Sequence, residues 1–260
     1  ETVKQEIIGS VSKITLNRPA SLNAIDQVLA SELRAEILSA EMNNDVRCVV
    51  LKGSGPAFMA GGDIRAFSER LDQGLDRYML DLTHDLHDAI LAIRRMRKPV
   101  VASVHGAAAG AGFSLAMACD MVIAADNSTF TLAYSMLGVS PDGSSTYSLP
   151  RLIGYHRAME LVLLSERFGA DKAKEMGLIN ITAPAEKLDA ETAALAERLA
   201  AGPTAAYGRA KVLLNKSLER GISDQLDAEA QGIMESSRTE DFKEGVDAFL
   251  NKRKPQFTGK

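Results

Sequence analysis

Two short stretches constrain this chain more than anything else in it. "GPAFMAGGDI" (Gly55 to Ile64) and "HGAAAGAGFSLAM" (His105 to Met117) each follow a β-branched run and lead straight into a helix-forming segment. Small side chains let another group approach the backbone closely, and the first N–H groups of a helix have no partner inside it. The helix dipole makes that end favourable for negative charge. Two such N–H groups aimed at one oxygen form an oxyanion hole, whose loss typically costs about 10²–10³ in rate. The plainer alternative is tight strand-to-helix packing, in which glycine serves only the turn. Neither stretch continues into Gly-Lys-Ser/Thr, so neither is a phosphate-binding P-loop, and neither has the context of a dinucleotide fingerprint.

Around them the chain reads as strands alternating with helices. "VSKITLNRP", "VRCVVLKGSG", "PVVASVHG" and "MVIAADNSTFTLA" are strand-like, the middle two as buried strands. "AIDQVLASELRAEILSAEMN" and "YMLDLTHDLHDAILAIRRMRK" carry apolar residues at helical spacing, and "DIRAFSERL" restarts a helix after Gly61 and Gly62. From Pro150 onward the pattern is helical. It divides the chain into an α/β core over 1–200 and a helical piece over 201–260. Leu213, Leu214, Leu226, Ile233, Val246 and Phe249 find no obvious apolar partner within that piece. They suit packing on another subunit or on the chain's own core.

The formal net charge of −4 argues against nucleic-acid binding by bulk electrostatics. No apolar run approaches the roughly 20 residues needed to cross a bilayer. Cys48 and Cys119 lie in apolar runs without disulfide or zinc spacing, which points to a reducing, cytoplasmic setting. The first residue is Glu1 rather than Met, so removal of a leader stays open. The basic "IRRMRK" suits a solvated helix end, and Asp63 suits a helix cap.

Taken in order, "ITLNRPASLNAID", "GPAFMAGGDIRAF", "KPVVASVHGAAAGAGFSLAMACD", "RAMELVLLSERFGADKAKEMGLIN" and the terminal "FLNKRKPQF" resemble the crotonase (enoyl-CoA hydratase/isomerase) superfamily over nearly the whole chain. The resemblance implies a spiral of repeated β-β-α units with a C-terminal helical trimerisation domain, assembled as a trimer or a dimer of trimers. It implies an acyl-CoA thioester substrate, with coenzyme A arriving as part of that substrate, and neither a metal nor a resident cofactor. It places the two oxyanion N–H groups at Gly62 and Ala111, the latter where glycine is common. The coenzyme would run near Arg18, Leu22 and Ala24, along Ala60, Gly61, Gly62, Asp63 and Ile64, and past Gly110. Arg65 would be a phosphate contact, and Phe249 and Lys252 would reach the adenine and phosphate end from a neighbouring subunit.

Hydratases of this superfamily use two glutamates to position and activate water. Their places are taken here by Ser114 and Tyr134, poor substitutes for a base and an acid at ordinary pKa values. The resemblance instead directs attention to Asp142 in "SPDGSSTYSLPRLIG". Isomerase and dehalogenase branches carry a catalytic aspartate at that place. A Pro-Asp-Gly turn would use the same residues for geometry alone. One carboxylate suffices for a 1,3-proton shift, so the expectation is an enoyl-CoA isomerase with Asp142 as acid and base. Ser114 and Tyr134 would shape the pocket, Tyr134 with a hydrogen bond to substrate. The rivals are an atypical hydratase, an aryl-CoA dehalogenase-like hydrolase with His87 as auxiliary, and a silent CoA-binding scaffold. The acyl group itself, whether fatty, cyclic or aromatic, is not readable from separated loops.

Overall fold

A computed structural model describes residues 1–260. The N-terminal hairpin pairs β1 (Val3–Ile8) with β2 (Val11–Leu16) antiparallel, closed by a turn at Gly9. In β2 the residues alternate between half-buried and buried, with Ser12, Ile14 and Leu16 inward. This is the period-2 pattern of a strand covered on one side. Parallel partners follow: β3 (Cys48–Gly53), β4 (Val100–Val104), β6 (Met121–Ala125) and β9 (Ile181–Ala183), giving the sheet order β1-β2-β3-β4-β6-β9. Every residue of β4 is buried, as a central parallel strand requires.

Helices cover both faces of this sheet. On one side, α1 (Gln27–Met42) and α3 (Leu75–Arg95) pack together and cover Val49, Leu51, Val100 and Ala102 within the main core. On the other, α8 (Leu188–Ala200) lies over Cys48, Val50, Val101 and Ile123. A buried Ser103–Thr192 hydroxyl pair at 2.9 Å joins α8 to β4. Each fully buried Leu, Ile or Phe contributes about 1.5–3 kcal/mol.

A second, smaller sheet is built from β5 (Ala107–Ala109), β7 (Thr129–Thr131) and β8 (Phe168–Gly169). Two helices follow the glycine stretches: α2 (Ile64–Ser68), which has no buried residue, and α4 (Ala111–Ala118), which packs on β5. All eight residues of α4 are buried. Phe113 of α4 meets Phe130 and Phe168 edge-on at 6.4 and 6.3 Å, and these two rings stack at 5.8 Å. That cluster fixes α4 on the small sheet and so fixes where its first turn points.

The remainder is largely helical: α5 (Ser145–Ile153), α6 (Tyr155–Leu164), α7 (Ala170–Glu175), and then α9 (Thr204–Lys216), α10 (Ile222–Ser236) and α11 (Glu240–Leu250). The structure differs from the sequence reading in detail. The second glycine stretch does not lead straight into its helix but first forms a strand, Ala107–Ala109, and "MVIAADNSTFTLA" is two strands broken by a turn. Helix α5 starts at Ser145 and contains Pro150, and the stretch read as helical also holds β8 and β9. α9 docks on the chain's own core. Lys211, 9% exposed at its side chain, donates to Asp120 at 2.6 Å and to the Ile93 carbonyl at 2.6 Å, and Asn215 donates to the Arg94 carbonyl at 2.9 Å. No helix is long and apolar enough to cross a membrane.

The basic helix end has internal work. Arg95 pairs with Glu41 at 3.0 Å, and Lys98 donates to the carbonyls of Ala40 and Glu41 at 2.7 and 3.0 Å. A cation there meets orphan carbonyls at the negative end of α1. Both cysteines are buried and free, and burial pushes each thiol up to about 12. Neither thiol ionises at neutral pH.

Candidate active site

Backbone pairing brings the two glycine stretches together. Ala60 donates to the Leu22 carbonyl at 3.0 Å, Ile25 to Gly61 at 2.7 Å, and Asp63 to Ile25 at 2.9 Å. On the other side, Met59 and β5 exchange hydrogen bonds, Met59 to Ala107 at 3.1 Å and Ala109 to Met59 at 2.9 Å. The first stretch is therefore held between Leu22–Ile25 and β5. Gly61 has φ +98°, and a Cβ there would lie 3.1 Å from the Ala109 carbonyl and 3.7 Å from Gly110 Cα, so only glycine fits. The N–H groups of Gly62 and Ala111 donate to no atom of the chain. Ala111 opens α4, so its N–H sits in the first turn, where the macrodipole is positive.

One residue that the sequence reading passed over organises this region. Asn23, wholly buried with φ +57°, accepts from the Arg18 N–H at 2.8 Å. Its amide donates to the carbonyls of Ser54, Ala57 and Phe58 at 2.9, 2.8 and 3.2 Å. An asparagine tolerates the left-handed region and can satisfy several buried carbonyls at once. The signal available in sequence was its place between Leu22 and Ala24 in a turn-rich segment.

Arg18 pairs with Asp63 at 2.9 Å and Asp26 at 3.1 Å, and donates to the Ala24 carbonyl. Asp63 caps α2 through the N–H groups of Arg65 and Ala66 at 3.1 and 3.2 Å. Burial opposes its ionisation, but the Ala66 N–H and Arg18 outweigh that and hold its carboxyl below the usual range. Leu22 and Ile64 are exposed and Ala24 is buried. Arg65 joins Arg18, Arg70 and Tyr78 around a cleft of about 320 Å³. Phe249 and Lys252 lie elsewhere in this chain. Phe249, 83% exposed, borders a groove of about 470 Å³ among the C-terminal helices, and Lys252 follows α11 on the surface.

Behind Gly110 the structure joins residues that are scattered in sequence. Ser114, fully buried on α4, lies 2.9 Å from the Tyr134 hydroxyl and 3.2 Å from the Gly110 carbonyl. Tyr134, also buried, donates to Asp142 Oδ1 at 2.6 Å. Burial, reinforced by the Asp142 charge, pushes the Tyr134 phenol far up, so it stays protonated. Asp142 is half-buried, and its own carbonyl accepts from the Ser145 N–H at 3.2 Å and hydroxyl at 2.9 Å at the start of α5. The next residue, Gly143, donates its N–H to His87 Nε2 at 3.2 Å. That bond requires an unprotonated Nε2, so His87 carries its ring proton on Nδ1. The network could be found only once the fold had brought α3, α4 and the 134–145 segment together.

The arrangement provides two free N–H groups at neighbouring backbone segments and a carboxylate held by a buried hydroxyl pair. Its similarity to known proteins is broad. Residues 6–260 match the family model described as Enoyl-CoA hydratase/isomerase.

The chain belongs to the enoyl-CoA hydratase/isomerase family.

A relative from Rhodobacter capsulatus named "Probable enoyl-CoA hydratase" is 39% identical, covering 100% of this chain and 98% of its own. The 1,2-epoxyphenylacetyl-CoA isomerase of Escherichia coli is 35% identical, covering 100% of this chain and 99% of its own. The crystal structure of an enoyl-CoA hydratase from Polaromonas sp. JS666 superposes with a TM-score of 0.93 at 35% identity, over 98% of this chain and 99% of that one. The fold is thus the crotonase fold of this family, and the acyl-CoA chemistry of enoyl-CoA hydratases and isomerases is the general activity to which the chain belongs.

Proposed function

We propose that this family member is an isomerase that moves a C=C bond in an acyl-CoA thioester, with Asp142 carrying the proton. The observation that carries the reading is the contact of Asp142 with Tyr134 at 2.6 Å and, through it, with Ser114. These two hydroxyls occupy the places that the hydratase resemblance gives to glutamates, and the carboxylate beside them is a single one. On a 3-enoyl thioester, Asp142 takes a proton from C2 and the electron pair moves into the thioester as a dienolate. The N–H groups of Gly62 and Ala111 hold the negative oxygen. Asp142 then returns the proton to C4, leaving the double bond between C2 and C3.

The coenzyme arm lies along Ala60–Ile64 in this reading, with its phosphates toward the cleft that Arg18, Arg65 and Arg70 share. Arg18, already paired with two carboxylates, shapes that segment more than it offers a free charge. Residues 1–200 form the catalytic core and 201–260 an oligomerisation arm that assembles trimers, in which Phe249 and Lys252 approach a neighbour's coenzyme.

Hydration is the second reading, favoured by the name of the Rhodobacter capsulatus relative. It would need Asp142 to activate water without a second carboxylate beside it. The two are separated by mixing the protein with 3-enoyl-CoA and with 2-enoyl-CoA and following the ultraviolet absorbance of the conjugated thioester. Isomerisation raises the signal from the first substrate, whereas hydration lowers it from the second. Asp142→Asn is expected to lower isomerase kcat by about 10²–10⁴-fold. Full turnover in that variant would remove Asp142 from the mechanism.

A further inference from the structure

We infer that Tyr134 is a positioning residue for Asp142 and not a substrate contact, and that Ser114 extends the same chain to the peptide of the oxyanion loop. The inference rests on the isomerase reading for its catalytic meaning, but its geometry is independent of it.

A tyrosine hydroxyl has one proton to give. Here that proton is committed to Asp142 Oδ1, and the oxygen is approached by Ser114 at 2.9 Å. The 2.6 Å separation lies in the range of charge-assisted O–H···O⁻ bonds. Nothing remains with which Tyr134 could donate to an acyl group. Oδ1 already accepts this bond, which leaves Oδ2 the freer of the two oxygens to exchange a proton with substrate. The side chain that replaces a hydratase glutamate thus serves another carboxylate instead of water.

Ser114 carries the chain further. Its single proton can go to Tyr134 or to the Gly110 carbonyl at 3.2 Å. That carbonyl belongs to the same peptide group as the Ala111 N–H. While Asp142 is ionised, the Tyr134 proton points to it and the Ser114 proton points to Tyr134. Once Asp142 holds the substrate's proton, its pull on Tyr134 falls and Ser114 is released toward Gly110. A hydrogen bond to a peptide carbonyl polarises the peptide and strengthens its N–H as a donor. This occurs at the step in which the thioester oxygen bears its charge. Base and oxyanion hole are coupled through two hydroxyls.

The test uses Tyr134→Phe, Ser114→Ala and their combination in the full chain, with Asp142→Asn as reference. Tyr134→Phe is expected to lower kcat for 3-enoyl-CoA about 10- to 100-fold, as for loss of a hydrogen bond to a charged group. KM and the thermal midpoint should stay near wild type. Ser114→Ala should lower kcat by less, and adding it to Tyr134→Phe should cost little more. A raised KM with kcat retained would make Tyr134 a substrate contact, and unchanged kinetics would give it no role; either overturns the inference. Proton NMR supplies a readout independent of turnover. Wild type should show a hydroxyl resonance downfield of the amides that is absent from Tyr134→Phe and lost in Asp142→Ala. Its absence in wild type overturns the inference. If wild type shows the resonance but does not isomerise 3-enoyl-CoA, the isomerase reading fails and the positioning role stands.

Discussion

At Gly143 the backbone runs through φ +57°, and a Cβ there would sit 2.7 Å from Ser114 Cβ and 3.6 Å from Ile90 Cδ1. Gly143→Ala therefore combines left-handed strain with a collision against a helix that cannot recede, since α4 is buried throughout. Thermal unfolding should show a loss of about 1–3 kcal/mol. Turnover of 3-enoyl-CoA should fall further than stability alone explains, because the residue forced to move carries Asp142 beside it. Much at this scale was legible. Asp142 could be singled out from Pro141-Asp142-Gly143 and its family resemblance, and Asp63 from its place before a helix. The hydroxyl pair was not, because Ser114 and Tyr134 lie 20 positions apart and their meeting depends on the Phe113, Phe130 and Phe168 cluster. Arg18 carried a second surprise, since its two acidic partners are visible in sequence only as unrelated charges.

Helix α3 does more than pack against α1. Through His87 it holds the segment that carries Asp142, by a single bond from the Gly143 N–H. His87→Leu removes the acceptor and should lower kcat by about 3- to 10-fold, the worth of one neutral hydrogen bond. His87→Gln can offer an amide oxygen to the same N–H and should recover part of that loss, read as kcat at a common KM. Equal damage from both variants would point to packing of the imidazole ring. At the level of elements, the long ones were readable because periodicity needs length. α1, α3 and β4 declare themselves, whereas β5, β8 and β9 have two or three residues each and no period to detect. The start of α5 was hidden by Pro150. That proline removes only its own N–H from the ladder, and the helix continues across it.

Across the molecule, the C-terminal arm is latched by Lys211 to Asp120, where burial favours the neutral form of each partner and their mutual attraction opposes it. Lys211→Met leaves Asp120 without its partner and should cost about 3–5 kcal/mol in chemical denaturation, with part returned by adding Asp120→Asn. Beyond the latch, Leu226, Ile233 and Phe249 stand 56%, 68% and 83% exposed on α10 and α11. If further copies cover them, the thermal midpoint should rise with protein concentration, and sedimentation should show a species larger than the monomer. In the sequence these apolar residues stand out as unpartnered, but nothing there says which of them the chain itself would bury. Arg47 adds one more constraint. It donates to Thr204 at 3.0 Å, where the arm leaves the core, and to the Phe257 carbonyl at 3.0 Å, where the arm returns. The helices between are strung like the handle of a cup, with both ends beside the same side chain and α9 also tied to the core by Lys211 and Asn215. A protease that cuts once in the turn after α9 would leave the handle hanging from its far attachment. From there on, contacts such as the bond from Arg47 to the Phe257 carbonyl, and not the covalent chain, would hold it.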